Sequence, residues 1–131
     1  MFMEADMAEN KNFVINVNGD GGVNISEEVI GIIAGLGAVE VEGVDSLSGN
    51  LTAENISKAG QGKLAKAIRV VDSEPGKISV HMAINMKYGY EIPKVSGMVQ
   101  EKVKSAVETM TGLEVTAVYI RIATVSVAAN N

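Results

Sequence analysis

The stretch Ile78-Ser79-Val80-His81-Met82-Ala83-Ile84-Asn85-Met86-Lys87-Tyr88 alternates large apolar residues with polar or small ones. A period of two is the signature of a half-buried strand, because successive side chains point to opposite faces of the sheet. Ile78, Val80, Met82, Ile84, Met86 and Tyr88 are expected on the covered face. Ser79, His81, Ala83, Asn85 and Lys87 are expected on the other, which meets water or a partner.

Working outward, Ser73-Glu74-Pro75-Gly76 places Pro and Gly where a type II turn needs them. It predicts a hairpin between residues 67–72 and 77–88. Downstream, Pro93 suits the first turn of a helix, where its missing N–H leaves no bond unmade. Val95, Val99, Val103, Ala106 and Met110 recur at spacings of three and four, and Gly112 fits the C′ position. A last strand follows, with Val118, Ile120 and Ile122 inward and Tyr119 and Arg121 outward. Strand, long helix and strand imply a crossover between two parallel strands.

Upstream, residues 1–12 read as a flexible acidic tail, residues 13–17 as a short strand, and 19–22 as a glycine turn. Ser26 is a good N-cap, and Glu27 and Glu28 suit the positive end of a helix dipole. Val29, Ile30, Ile32, Ile33 and Leu36 surround more than half of that helix, so it is deeply packed, and Gly35 and Gly37 are expected to end it. Residues 38–44 alternate and predict another strand. Residues 46–62 are rich in Ser, Asn, Gly and Thr and read as a variable loop, with room for a short helix over 53–58. The expected architecture is α+β: one domain over 13–128, a two-layer sandwich in which a mixed four- to five-stranded sheet carries two main helices on one face.

The chain has 131 residues, 47% of them hydrophobic, no Cys and only 4% aromatics. A core of Val, Ile, Met and Ala is therefore expected, and cysteine chemistry of every kind is excluded. The acidic N-terminus is unlike a secretory signal. The longest nearly apolar run, residues 29–39, is 11 residues long, against about 20 for a membrane span. A soluble, cytoplasmic protein without its own transmembrane segment is expected. The net charge of −5 is unevenly spread, with nine acids and one base before residue 46 and seven acids and ten bases after it. Such a dipolar chain can favour self-association, although uneven charge more often means solvated surface.

No catalytic constellation emerges. His81 is the single histidine and lacks neighbours with metal-ligand or triad spacing. The glycines at 19–22 and 35–37 match neither a P-loop nor a dinucleotide fingerprint. Gly31 and Gly35 suit close packing of a helix on a sheet. Neither a cofactor nor a metal is implied. Two surfaces remain as candidates. The first is the outward sheet face, where His81, Asn85 and Lys87 would lie near Tyr119 and Arg121 if their strands are neighbours; Tyr and Arg are enriched at interfaces. The second is the basic cluster Lys58, Lys63, Lys66 and Arg69, an alternative site for a small ligand, anionic lipid or nucleic acid. It lacks interleaved aromatics in a chain of pI near 4.8, which argues against nucleic acid.

The run Tyr88-Gly89-Tyr90-Glu91-Ile92-Pro93-Lys94-Val95, with Val99-Gln100-Glu101-Lys102-Val103-Lys104 and Val107-Glu108-Thr109-Met110-Thr111-Gly112-Leu113-Glu114-Val115, resembles the signature of the alkaline shock protein family. This is the envelope stress response family of Gram-positive bacteria. The resemblance extends to Ile25-Ser26-Glu27-Glu28-Val29, Ile33-Ala34-Gly35 and Val41-Glu42-Gly43-Val44, and covers roughly residues 22–127. It implies a cytoplasmic, non-enzymatic protein of the cell-envelope stress system, some of whose relatives are held near the membrane by a membrane-anchored partner. The Lys63-Leu64-Ala65-Lys66-Ala67-Ile68-Arg69 segment and the acidic tail depart from the family pattern.

Overall fold

A computed structural model describes residues 12–16 and 22–127; the rest of the expected tail and most of the 19–22 turn lie outside them. In chain order the elements are β1 (Asn12–Asn16), β2 (Gly22–Ser26), α1 (Glu27–Val39), β3 (Val44–Leu47), α2 (Gln61–Ala67), β4 (Ile68–Glu74), β5 (Lys77–Lys87), α3 (Ile92–Thr111) and β6 (Glu114–Ser126). The fold is α+β. The alternating segment forms β5, the strand to which every other strand of the four-stranded sheet is bonded. β6 runs parallel to it along its whole length, from Lys77↔Glu114 to Lys87↔Ser126. β4 and β3 share its other edge end to end, both antiparallel. β1 and β2 form a separate antiparallel pair with Phe13 opposite Ile25.

The inward residues of β5, Ile78 to Met86, are all buried, and the core is completed by Val44, Leu47, Val70, Val115 and the apolar faces of α1 and α3. The β4–β5 turn has Gly76 at φ +78, the left-handed conformation that position demands. Ser26 caps α1, its Oγ accepting from the Val29 N–H at 3.2 Å. Gly112 ends α3 in the left-handed region, its N–H donating to the Glu108 carbonyl at 2.9 Å.

Four expectations need correction. First, α1 does not end at Gly35 or Gly37, and residues 38–44 are not a strand. The helix continues to Val39 and a turn leads into β3. The glycines are there for proximity: a Cβ on Gly35 would lie 3.0 Å from Leu47 Cδ1 and 3.1 Å from Ile68 Cδ1. The helix rests almost backbone-on-core, which gives back the roughly 1 kcal/mol that a mid-helix glycine costs. Val41 stays buried while Glu40 and Glu42 are exposed, so the alternation was real but belonged to a helix end and turn.

Second, the buried stripe of α3 is Val95, Val99, Val103, Val107 and Thr111, a strict step of four. Ala106 is only half-buried and Met110 is 70% exposed. Thr111 can occupy the core because its hydroxyl donates to the Val107 carbonyl at 2.7 Å and accepts from the Leu113 N–H at 3.1 Å. Third, residues 53–58 are turns rather than a short helix, and a helix instead forms as α2 over Gln61–Ala67. Leu51 and Ile56 from the 46–62 segment are fully buried, so two apolar anchors hold a polar connection to the core. Fourth, Tyr88 lies beyond the end of β5 and is 71% exposed.

The glycine contacts separate two kinds of substitution. Gly35→Val should destabilise the fold by about 1–3 kcal/mol through overpacking. Gly97→Ala, within α3 with nothing inside 4 Å of the added carbon, should stabilise it by about 0.5–1 kcal/mol. Urea unfolding midpoints moving in the same direction for both variants would contradict this account.

Candidate functional site

Strand register assembles the outward face. His81 is paired with Tyr119 across β5–β6 and with Arg69 across β4–β5. Arg69, His81 and Tyr119 thus form one row over three strands. The His81 and Tyr119 rings stack, with centroids 4.7 Å apart and planes at 27°. Tyr119 remains 56% exposed. Arg121 follows two residues later, opposite Ala83. The expected neighbourhood of His81, Tyr119 and Arg121 therefore forms.

Asn85 differs from expectation. It is only 6% exposed, because Ser46 on β3 and Thr124 on β6 flank it at the same level of the sheet. Its Nδ2 donates to Ser46 Oγ at 2.9 Å and to the Leu47 carbonyl at 3.1 Å, and its Oδ1 accepts from Thr124 Oγ1 at 2.9 Å. A buried amide with its bonds made is a structural staple across three strands. Lys87 is exposed at the far end of β5, six residues from His81, or roughly 20 Å at the usual strand rise.

The basic cluster divides. Lys66 from α2 and Arg69 from β4 join His81, Tyr119 and Arg121 around a shallow groove of about 270 Å³, floored by Ala65, Ala67 and Ala83. Lys58 and Lys63 are exposed but do not line it. Arg69 is anchored from behind: its Nε donates to Glu27 Oε2 at 3.0 Å, and the same oxygen accepts from the Val70 N–H at 3.0 Å. Glu27 is 2% exposed. Besides standing at the helix end, Glu27 ties α1 to β4 across more than forty positions of the chain, a contact that local spacing does not signal.

A second cleft of about 700 Å³ lies between β1 and the β4–β5 turn, lined by Phe13, Val14, Ile78 and Leu113 with Asp72 and Glu74. Toward the opposite end of α3, Tyr88, Tyr90, Ile92 and Met98 are exposed, and Tyr90 and Met98 line one shallow depression. The Tyr90 hydroxyl donates to Glu42 Oε2 at 3.2 Å. That hydrogen bond, with the adjacent carboxylate charge and slight desolvation, raises the Tyr90 phenol above its ordinary 10.0. Ionisation would remove the donated proton and set two negative charges together. The contact thus supports the fold at neutral pH and is lost as pH rises through the raised pKa. Glu42→Gln should move the Tyr90 titration back toward 10.0, followed by phenolate absorbance; an unmoved titration would show that the contact does not form in solution.

Residues 16–127 match the alkaline shock protein 23 family, described as having a cell envelope-related function. Similar proteins include Spy1535 of Streptococcus pyogenes, 33% identical over 102 residues, covering 78% of this chain and 77% of that protein. YqhY of Bacillus subtilis is 33% identical over 102 residues, covering 78% and 75%. YloU of the same organism is 34% identical over 110 residues, covering 76% and 84%. All three are themselves uncharacterized. Among the described residues no helix is long and apolar enough to cross a membrane. The resemblance read from the Tyr88–Val115 signature thus holds over nearly all of the described chain, which belongs to the alkaline shock protein 23 family, a family of cell envelope-related function.

Proposed function

We propose that this chain is a non-enzymatic contact module of the cell envelope, acting from the cytoplasmic side. It works by self-association or by docking on a membrane-anchored partner, through the outward face of the β5–β6 pair. The observation that carries this reading is the His81–Tyr119 stack beside Arg121. It presents an aromatic and an arginine on a sheet face where neither contributes to the core. Exposed Tyr and Arg side chains of this kind supply a large share of contact energy at protein interfaces.

The surroundings of His81 favour contact over catalysis. Its ring is stacked on Tyr119, and among the described residues no carboxylate lines the groove beside it to orient it as a base. Among the described residues no three His, Asp or Glu side chains gather as metal ligands would. The uneven charge of the chain adds long-range attraction to short-range contact.

Replacing Tyr119 and Arg121 together by Ala should leave the circular dichroism and the melting temperature near those of the parent, since both side chains are exposed. Self-association, followed by sedimentation velocity, should weaken about tenfold or more. An unaltered oligomer distribution, together with unaltered capture of membrane proteins, would remove this face from the proposal.

A further inference from the structure

We infer that the groove between α2 and the β5–β6 pair is an anion site that receives a phosphate group. This goes beyond the contact reading and stands on different ground, the charge of the groove itself.

Three cationic side chains, Lys66, Arg69 and Arg121, reach the groove from α2, β4 and β6, and no carboxylate is among its lining residues within the described chain. In a chain of net charge −5 that is a local inversion of sign. The carboxylate of Glu27 lies behind Arg69 and offsets one of the three charges. The cations that line the groove favour a phosphate monoester, with its charge of about −1.5 to −2 and several acceptor oxygens, over a singly charged carboxylate.

Geometry supports the same ligand. Glu27 holds Arg69 by its Nε, so the guanidinium is placed before any ligand arrives and less side-chain freedom is lost on binding. Two guanidinium groups and an ammonium suit a tetrahedral anion with oxygens in several directions. Tyr119, fixed by its stack on His81, adds a hydroxyl donor at the rim. The floor of three alanines leaves room for the anion to approach the sheet. The groove, at about 270 Å³, is below the usual size of a pocket for a whole organic ligand. It fits the phosphate end of a larger molecule, whether a free organic phosphate or the headgroup of a membrane lipid.

The test uses the full chain and reads backbone amide shifts during titration with inorganic phosphate, against chloride at matched ionic strength. Saturable shifts confined to Lys66, Arg69, His81, Tyr119, Arg121 and their neighbours are expected. Lys66→Gln should weaken binding about fivefold, the equivalent of one charge, and Arg121→Gln should do the same. Glycerol phosphate in solution and phosphatidic acid in phosphatidylcholine vesicles then separate the two sources. Vesicle flotation that Lys66→Gln abolishes assigns a lipid headgroup, and glycerol phosphate binding without flotation assigns a free phosphate; either result supports the site. Lys66 lies outside the proposed protein contact. A phosphate effect of Lys66→Gln with unchanged sedimentation therefore supports this site whatever becomes of the contact reading. Shifts that track ionic strength alone, or that persist undiminished in both Gln variants, overturn it.

Discussion

The hydrogen bonding of β5 on both edges is the constraint from which the rest of the molecule follows. One edge is taken by β6 over the full length of the strand, and the other is divided between β4 and β3. A strand bonded on both sides has no freedom to slip, because a one-residue shift would turn its buried residues outward and its polar ones inward. Five large apolar side chains on one face fix that choice. Once the register is set, the positions of His81, Tyr119, Arg69 and Arg121 relative to one another are set with it.

The second constraint is how closely α1 approaches the sheet. Gly31 and Gly35 bring the helix axis down onto Leu64, Ile68 and Leu47, and Glu27 ties the first turn of the helix to β4 through Arg69 and the Val70 N–H. Apolar proximity along the middle of the helix and an ion pair at its first turn thus act on the same element. The ion pair also orients a cation on the far face of the sheet, so a core feature shapes a surface one. Truncating Glu27 would remove a buried contact and the acceptor shared by Arg69 and the Val70 N–H.

The two faces of the sheet divide the labour. The covered face explains why the chain folds, and Val99 and Val103 of the family signature belong to it. The other face carries a stacked ring pair, three cations and an amide staple that stops it from being uniformly available. Asn85 closes one end of that face by bonding Ser46 and Thr124, which leaves the groove near Lys66 and Arg121 as the place where chemistry is concentrated. The exposed Tyr88, Tyr90 and Ile92 show that part of the Tyr88–Val95 signature also lies at the surface.

By itself the sequence determined the strand–helix–strand unit, the Ser26 and Gly112 caps, the β4–β5 turn and the family. These depend on local spacing: period two, a step of four, a hydroxyl or a glycine at a fixed offset. Only the tertiary structure decided the rest. Whether Gly35 ends a helix or lets it touch Leu47 depends on what lies opposite. Whether Asn85 faces solvent depends on Ser46 and Thr124, nearly forty residues away on either side. The same holds for the groove: in the chain Lys66 belongs to one candidate surface and His81 and Arg121 to another, and α2, β5 and β6 bring them together only after the register of β5 is fixed.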